Sequence, residues 1–225
     1  MKKYPLNKVE YYAHFREMIE ALPEGRENAP GISWFTRKGE QRGVTLSKLR
    51  EDVRNLQTAL VDRGLAGKHI AILGENSYEW LLVYFAATYC GAVAVCVDVE
   101  QPDDTIRQML EMADVGALFF MPALEGVCEP YMTTEGNAFY LSGKGTRSNV
   151  DDLIAEGGRL REKGMTCVDM ETTLDPDATA SIVFTSGTTN YSKPVMLSHR
   201  AILTNASDAL TNVAIGEVAF TSLPF

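Results

Sequence analysis

Apolar residues at Leu46, Leu49, Val53, Leu56 and Leu60 recur at three- and four-residue steps, the spacing that places them on one face of a helix, and Gly64 then supplies a C-terminal stop. Farther along, the period changes. His69–Leu73, Val93–Val97 and residues 117–121 are short, nearly continuous apolar runs, as expected of buried strands. Helical stretches separate them. One follows Asn76, which can cap it with Glu79 three positions on. Another is opened by Pro102 and Asp103 and carries Ile106, Met109, Leu110 and Ala113 on one face. Strands alternating with helices imply right-handed crossovers and an α/β fold, with mostly parallel sheets flanked by helices.

The flanking regions read less regularly. A helix is expected over residues 9–22, ending before Pro23, followed by extended stretches at 32–37 and 42–45 around the turn Lys38-Gly39-Glu40. Between Pro122 and Thr173 one strand, 138–141, and one helix, 150–163, are expected. After Asp175-Pro176-Asp177, residues 180–184 read as a buried strand. Ser198 reads as the N-cap of a helix carrying Leu203, Ala206 and Leu210, rather than as a nucleophile beside His199. The expected division is residues 1–175 as a first sheet with its helices, and 176–225 as the start of a second sheet.

Composition narrows the function classes. With 225 residues, 45% of them hydrophobic, the chain can bury a substantial core. A net charge of −9 makes nucleic acid an unsuitable partner, because phosphate-backbone binding needs clustered Lys and Arg. Residues 80–97 lack charge over about the length of a membrane span, but Gly91 interrupts the run and its second half is β-branched, so a helix followed by a strand is expected. Cys90, Cys96, Cys128 and Cys167 show no C-x-x-C spacing and sit among apolar residues, as buried thiols of a cytoplasmic protein do; no metal site is indicated. The N-terminus lacks the uninterrupted apolar core of a signal peptide. Trp34, Trp80, Tyr84 and Phe85 are read as core residues.

Chemistry concentrates in Phe184-Thr185-Ser186-Gly187-Thr188-Thr189-Asn190-Tyr191-Ser192-Lys193-Pro194-Val195-Met196-Leu197-Ser198-His199. Four hydroxyl residues surround one glycine, a lysine follows, and apolar strands lie on both sides. A triphosphate needs what this offers: inward N–H groups, small hydroxyl donors and one cation. The spacing is neither G-x-x-x-x-G-K-[ST] nor G-x-G-x-x-G.

The segment resembles the phosphate-binding signature of the adenylate-forming superfamily, roughly [YF]-T-S-G-T-T-G-x-P-K-G-V-x-x-[ST]-H. Thr185, Ser186, Gly187, Thr188, Thr189, Lys193, Val195, Ser198 and His199 match it in order and spacing. Upstream, Gly43-Val-Thr-Leu-Ser-Lys-Leu49, Glu75-Asn76-Ser77-Tyr78-Glu79-Trp80 and Gly91-Ala-Val-Ala-Val-Cys-Val-Asp98 resemble further family motifs, with Cys96 where proline is usual. The variants look most like bacterial fatty-acyl-CoA ligases.

The resemblance implies the N-terminal portion of the family's large domain, in an enzyme that activates a carboxylic acid, a fatty acid in the first instance, with ATP, Mg2+ and coenzyme A. Thr185, Ser186, Gly187, Thr188, Thr189 and Lys193 would bind the nucleotide phosphates. Catalytic residues are expected beyond residue 225, so that this chain alone folds without catalysing adenylate formation. Alternatives are an amino-acid adenylation domain serving a carrier protein, and a non-catalytic nucleotide- or acyl-binding domain. Three departures bear on the loop: Asn190 and Pro194 replace glycines and Ser192 replaces a proline. Pro194 is expected to remove a backbone donor from a loop that works through such donors.

Overall fold

The computed structural model describes residues 7–22, 25–36, 38–133, 136–165, 174–185 and 192–212. The first part comprises α1 (Phe15–Ala21), the hairpin β1 (Pro30–Phe35) and β2 (Gln41–Thr45), and α2 (Leu46–Asp62). The strand-helix alternation follows as β3 (His69–Leu73), α3 (Tyr78–Tyr89), β4 (Val93–Val97), α4 (Asp103–Met112), β5 (Ala117–Phe120) and the short α5 (Glu125–Cys128). Then come β6 (Ala138–Tyr140), α6 (Val150–Glu162), β7 (Thr179–Thr185), β8 (Lys193–Ser198) and α7 (His199–Asn212).

β3 to β8 form one six-stranded sheet of order β6-β5-β3-β4-β7-β8, parallel except for the edge strand β8. Both faces are covered, which is why the central strands are apolar at successive positions. On one face Ile70, Ile72, Ala94 and Phe119 meet Val53, Leu56 and Leu60 of α2, Val83 of α3 and Leu153 of α6. On the other, Ala71, Leu73, Val95, Leu118 and Phe120 meet Ile106, Met109 and Leu110 of α4. Thr45 caps α2, its side chain accepting the Lys48 N–H, and Gly64 ends it with φ +68°.

Two close fits lock the helices. A Cβ on Gly157 of α6 would lie 1.8 Å from the Asn55 carbonyl oxygen of α2, so only glycine permits this crossing. Arg161 donates to Asn55 Oδ1 at 2.6 Å and Arg63 pairs with Glu156 at 2.6 Å across the same seam. Glu20 of α1 accepts from both Arg54 of α2 and Tyr89 of α3. Burial would raise this carboxyl; the bonds from Arg54 and Tyr89 outweigh that and hold it below its ordinary value.

Three expectations need correction. Among the described residues no second sheet starts at residue 176: β7 continues the six-stranded sheet, with Ala94 opposite Ser181 and the Ser181 hydroxyl donating to the Ala94 carbonyl at 3.1 Å. An apolar run fixes that a strand forms, and long-range pairing decides where it goes. α1 begins at Phe15 rather than residue 9, because His14 is its cap and residues 7–13 run elsewhere. Ser77, not Asn76, caps α3, accepting the Trp80 N–H at 3.1 Å. Residues 80–97 divide into most of α3 and all of β4, and no helix among the described residues is long and apolar enough to cross a membrane.

Candidate functional site: the end of the β7–β8 hairpin

β7 starts inside the protein and ends outside it. Ala180, Ser181 and Ile182 are buried, Val183 and Phe184 half-buried, and Thr185 exposed. Because β7 is parallel to β3, β4 and β5, Thr185 emerges at their carboxyl edge, where open α/β sheets bind ligands. β8 returns antiparallel, and its first residue, the exposed Lys193, stands opposite Thr185. The hairpin therefore brings together one hydroxyl and one ammonium of the expected phosphate-binding set. Ser186, Gly187, Thr188 and Thr189, with Asn190, lie outside the described residues.

Pro194 belongs to the strand and not to the loop. It is the second residue of β8, opposite Phe184, on the sheet edge, where a residue without an N–H is tolerated. An N–H at this position would face Phe184 or the open edge, so the expected loss of a loop donor does not follow from this geometry.

The base of the hairpin is built more tightly than its end. Ser198 caps α7, its hydroxyl accepting the Ala201 N–H at 3.2 Å, and the N–H groups of His199 and Arg200 donate to the Ala178 and Pro176 carbonyls. Arg200 pairs with Asp177 through two bonds of 2.7 and 3.1 Å. His199 is only 1% exposed, with its ring 5.6 Å from that of Phe15, and Nδ1 accepts the Phe15 N–H at 3.5 Å. Burial, with the charges of His14 and Arg16, lowers its pKa to about 4 and keeps the ring neutral. A buried neutral histidine on an aromatic neighbour is a packing group and not half of a nucleophile pair.

Residues 7–14, upstream of α1, run along α7. Asn7 donates to the Leu210 carbonyl at 2.7 Å, Tyr11 to Asp208 at 2.8 Å, and Ser207 to the Glu10 carbonyl at 3.0 Å. The buried stripe of α7 is consequently His199, Leu203 and Ser207, while the expected Ala206 and Leu210 are exposed. Sequence reading missed this strap. His199 ending the matched motif was its one available signal.

Other chemically reactive groups offer less. Cys90, Cys96 and Cys128 are free, and burial pushes their thiols up to about 11, 11 and 12, too high for nucleophilic use; Cys167 lies outside the described residues. Among the described residues no group of three or more His, Cys, Asp or Glu is placed to hold a metal ion.

The architecture is a mostly parallel α/β sheet with a hydroxyl- and lysine-bearing hairpin at its carboxyl edge. The chain belongs to the AMP-binding enzyme family, whose pattern it matches over residues 21–225. Bacillus subtilis (strain 168) YngI, named provisionally as an acyl-CoA synthetase, is 29% identical over 66% of this chain and 31% of its own length. Tyrocidine synthase 3 of Brevibacillus parabrevis is 28% identical over 71% of this chain and 2% of its own. The crystal structure of the anthranilate CoA ligase AuaEII in complex with anthranoyl-AMP superposes with a TM-score of 0.67 at 17% identity, covering 84% of this chain and 35% of that one, a likeness of fold. The chain thus spans about a third of the length of YngI.

Proposed function

We propose that this chain is the nucleotide-phosphate-binding portion of an ATP-dependent acid–thiol ligase. In the complete reaction a carboxylate oxygen attacks the α-phosphorus of ATP, pyrophosphate leaves, and a thiol then displaces AMP from the acyl-adenylate. The observation that carries this reading is Thr185 facing Lys193 across the β7–β8 hairpin at the carboxyl edge of the sheet, inside the family match. Thr185, Ser186, Gly187, Thr188, Thr189 and Lys193 hold the β- and γ-phosphates through hydroxyls, backbone N–H groups and one ammonium. These groups bind and orient; the acyl chemistry takes place elsewhere. Magnesium arrives with the nucleotide and offsets its remaining charge, with no residue of this chain assigned to it. Coenzyme A is the thiol, a fatty acid the first acid to test, and the cytoplasm the setting.

The likeness to tyrocidine synthase 3 favours a second reading, an amino-acid adenylation domain serving a carrier protein. Exchange of labelled pyrophosphate into ATP by the full-length protein, driven by fatty acids but not amino acids, supports the first reading, and the reverse supports the second. Lys193→Ala should lower kcat/KM for ATP by about ten- to a thousand-fold with an unchanged melting temperature, the loss expected for a charge-assisted phosphate contact. An unchanged kcat/KM removes Lys193 from the site.

A further inference from the structure

β7 is registered with β4 through two residue pairs only, Ala94 with Ser181 and Val95 with Ile182, whereas β3 and β4 share five. Beyond Ile182 no residue of β7 is registered with β4; Val183 and Phe184 are half-buried, Phe184 against the cluster under α4, while on the edge strand Val195 is 37% and Met196 72% exposed. The main-chain ladder therefore does little to aim its outer half. What aims it is side-chain packing, of Phe184 on the core and of the residues at its base.

Phe15 occupies that base. It is buried in one cluster with Ala180 of β7 and Leu203 of α7, and its ring lies 5.5 Å from Tyr84 and 6.3 Å from Phe85 of α3. Its backbone N–H and its ring both address His199, the residue that directly follows β8. One residue thus touches the start of β7, the residue after the end of β8, and a helix anchored in the main core. Phe15 is also the first residue after the segment bonded along α7 through Asn7, Glu10 and Tyr11.

We propose that Phe15 and His199 are positioning residues for the hairpin, coupling the docking of residues 7–14 on α7 to the placement of Thr185 and Lys193. Neither touches the nucleotide. By reciprocity, a ligand that fixes the hairpin also tightens the strap, and loosening the strap weakens the ligand. The nucleotide half of this coupling rests on the function proposed above; the structural half, strap to hairpin, stands independently.

The experiment follows backbone amide exchange in the full chain. Tyr11→Phe combined with Ser207→Ala removes two strap bonds without opening a core cavity. It should speed exchange at Val183, Phe184, Val195 and Met196 by about tenfold, with β3 and β5 unchanged, as expected for opening of one local unit. His199→Ala should act similarly and His199→Gln, which keeps an acceptor, less. In the full-length protein the double variant should raise KM for ATP several-fold and leave kcat at saturating ATP unchanged. If residues 7–14 of the double variant exchange as free chain while the hairpin amides keep their parental rates, the coupling is overturned, whatever the nucleotide data show. If the hairpin responds and ATP affinity does not, the coupling stands and the placement of the nucleotide at this hairpin is the part that fails.

Discussion

The sheet from β6 to β4 and the hairpin β7–β8 are neighbours built on opposite terms. All residues of β5 and β6 are buried, whereas the first four of β8 are exposed. In the first region side chains are chosen to fill space between two helical layers; in the second, the outward-facing residues have no packing to satisfy. Stability and chemistry are therefore separable in this molecule, and substitutions should separate them.

The largest effect should come from the packed region. Phe119 is fully buried, with its ring 4.9 Å from Phe139, so Phe119→Ala should cost about 3–5 kcal/mol. Met196→Ala in β8 should stay within about 0.5 kcal/mol. Chemical denaturation measures both. Comparable costs would mean that the exposed face of β8 is covered in solution, and the contrast between the regions would fall.

Gly157 and Gly158 offer a finer comparison inside the packed region. A methyl at 157 would meet the Asn55 carbonyl at 1.8 Å, while at 158 the nearest atom, Asn55 Nδ2, is 3.5 Å away. Gly157→Ala must push α6 from α2 and should destabilise by about 1–3 kcal/mol. Gly158→Ala should instead gain up to about 1 kcal/mol by removing a helical glycine. Equal behaviour in thermal melts would show that the α2–α6 seam is looser than the geometry requires.

Acid titration distinguishes the two regions by pH. The neutral His199 has a folded pKa near 4 against an ordinary 6.5, so the unfolded chain takes up the proton first. Its contribution is complete above pH 6.5 and is lost as the pH falls from there towards 4. His14, also lowered by burial, adds a loss of the same sign as the pH falls below 6.5. Glu20 lies below its ordinary 4.5, so its contribution is present above 4.5 and lost only below it. Stability plotted against pH should lose slope between 6.5 and 4.5 in His199→Gln, and below 4.5 in Glu20→Gln. If the two variants change the same window, the assignment of the slopes is wrong.

How much of this was legible in the sequence follows the same division. β3 and β4 were delimited to the residue, and β5 to within one, because burial on both faces leaves an uninterrupted apolar run. α2 was equally plain from its period. α1 was expected six residues too early, since residues 7–14 bond to partners some two hundred positions away that no local pattern reveals. For the same reason the buried stripe of α7 includes Ser207 where Ala206 was expected. The pairing of β7 with β4 was likewise invisible, and a second sheet was inferred in its place. For the proposed phosphate-binding set, residue types and order pointed to Thr185 and Lys193, and the hairpin register explains why these two residues, eight positions apart, face each other.

Pro194→Gly should have the smallest effect on nucleotide binding, and it tests whether the hairpin keeps its register in use. Counting donors along the sequence, restoring an N–H beside Lys193 should tighten a bound phosphate, by about 1.5–3 kcal/mol for a bond to a charged group. The register argues otherwise. Residue 194 lies opposite Phe184 within β8, one step inside the Thr185–Lys193 pair, so a restored N–H faces the neighbouring strand or the outer edge. ATP affinity measured by calorimetry should then change by less than about 0.5 kcal/mol, as for a substitution away from any special contact. The melting temperature should fall slightly, because glycine adds freedom to the unfolded chain that proline denies it, worth about 0.4–1 kcal/mol. An affinity gain of tenfold or more would mean that the N–H of residue 194 reaches the nucleotide, either from the open edge of β8 or after β8 unpairs from β7 at its first two residues. In the second case the hairpin would be a moving part of the proposed site rather than its frame, and faster amide exchange at Val183 with ATP bound would identify it.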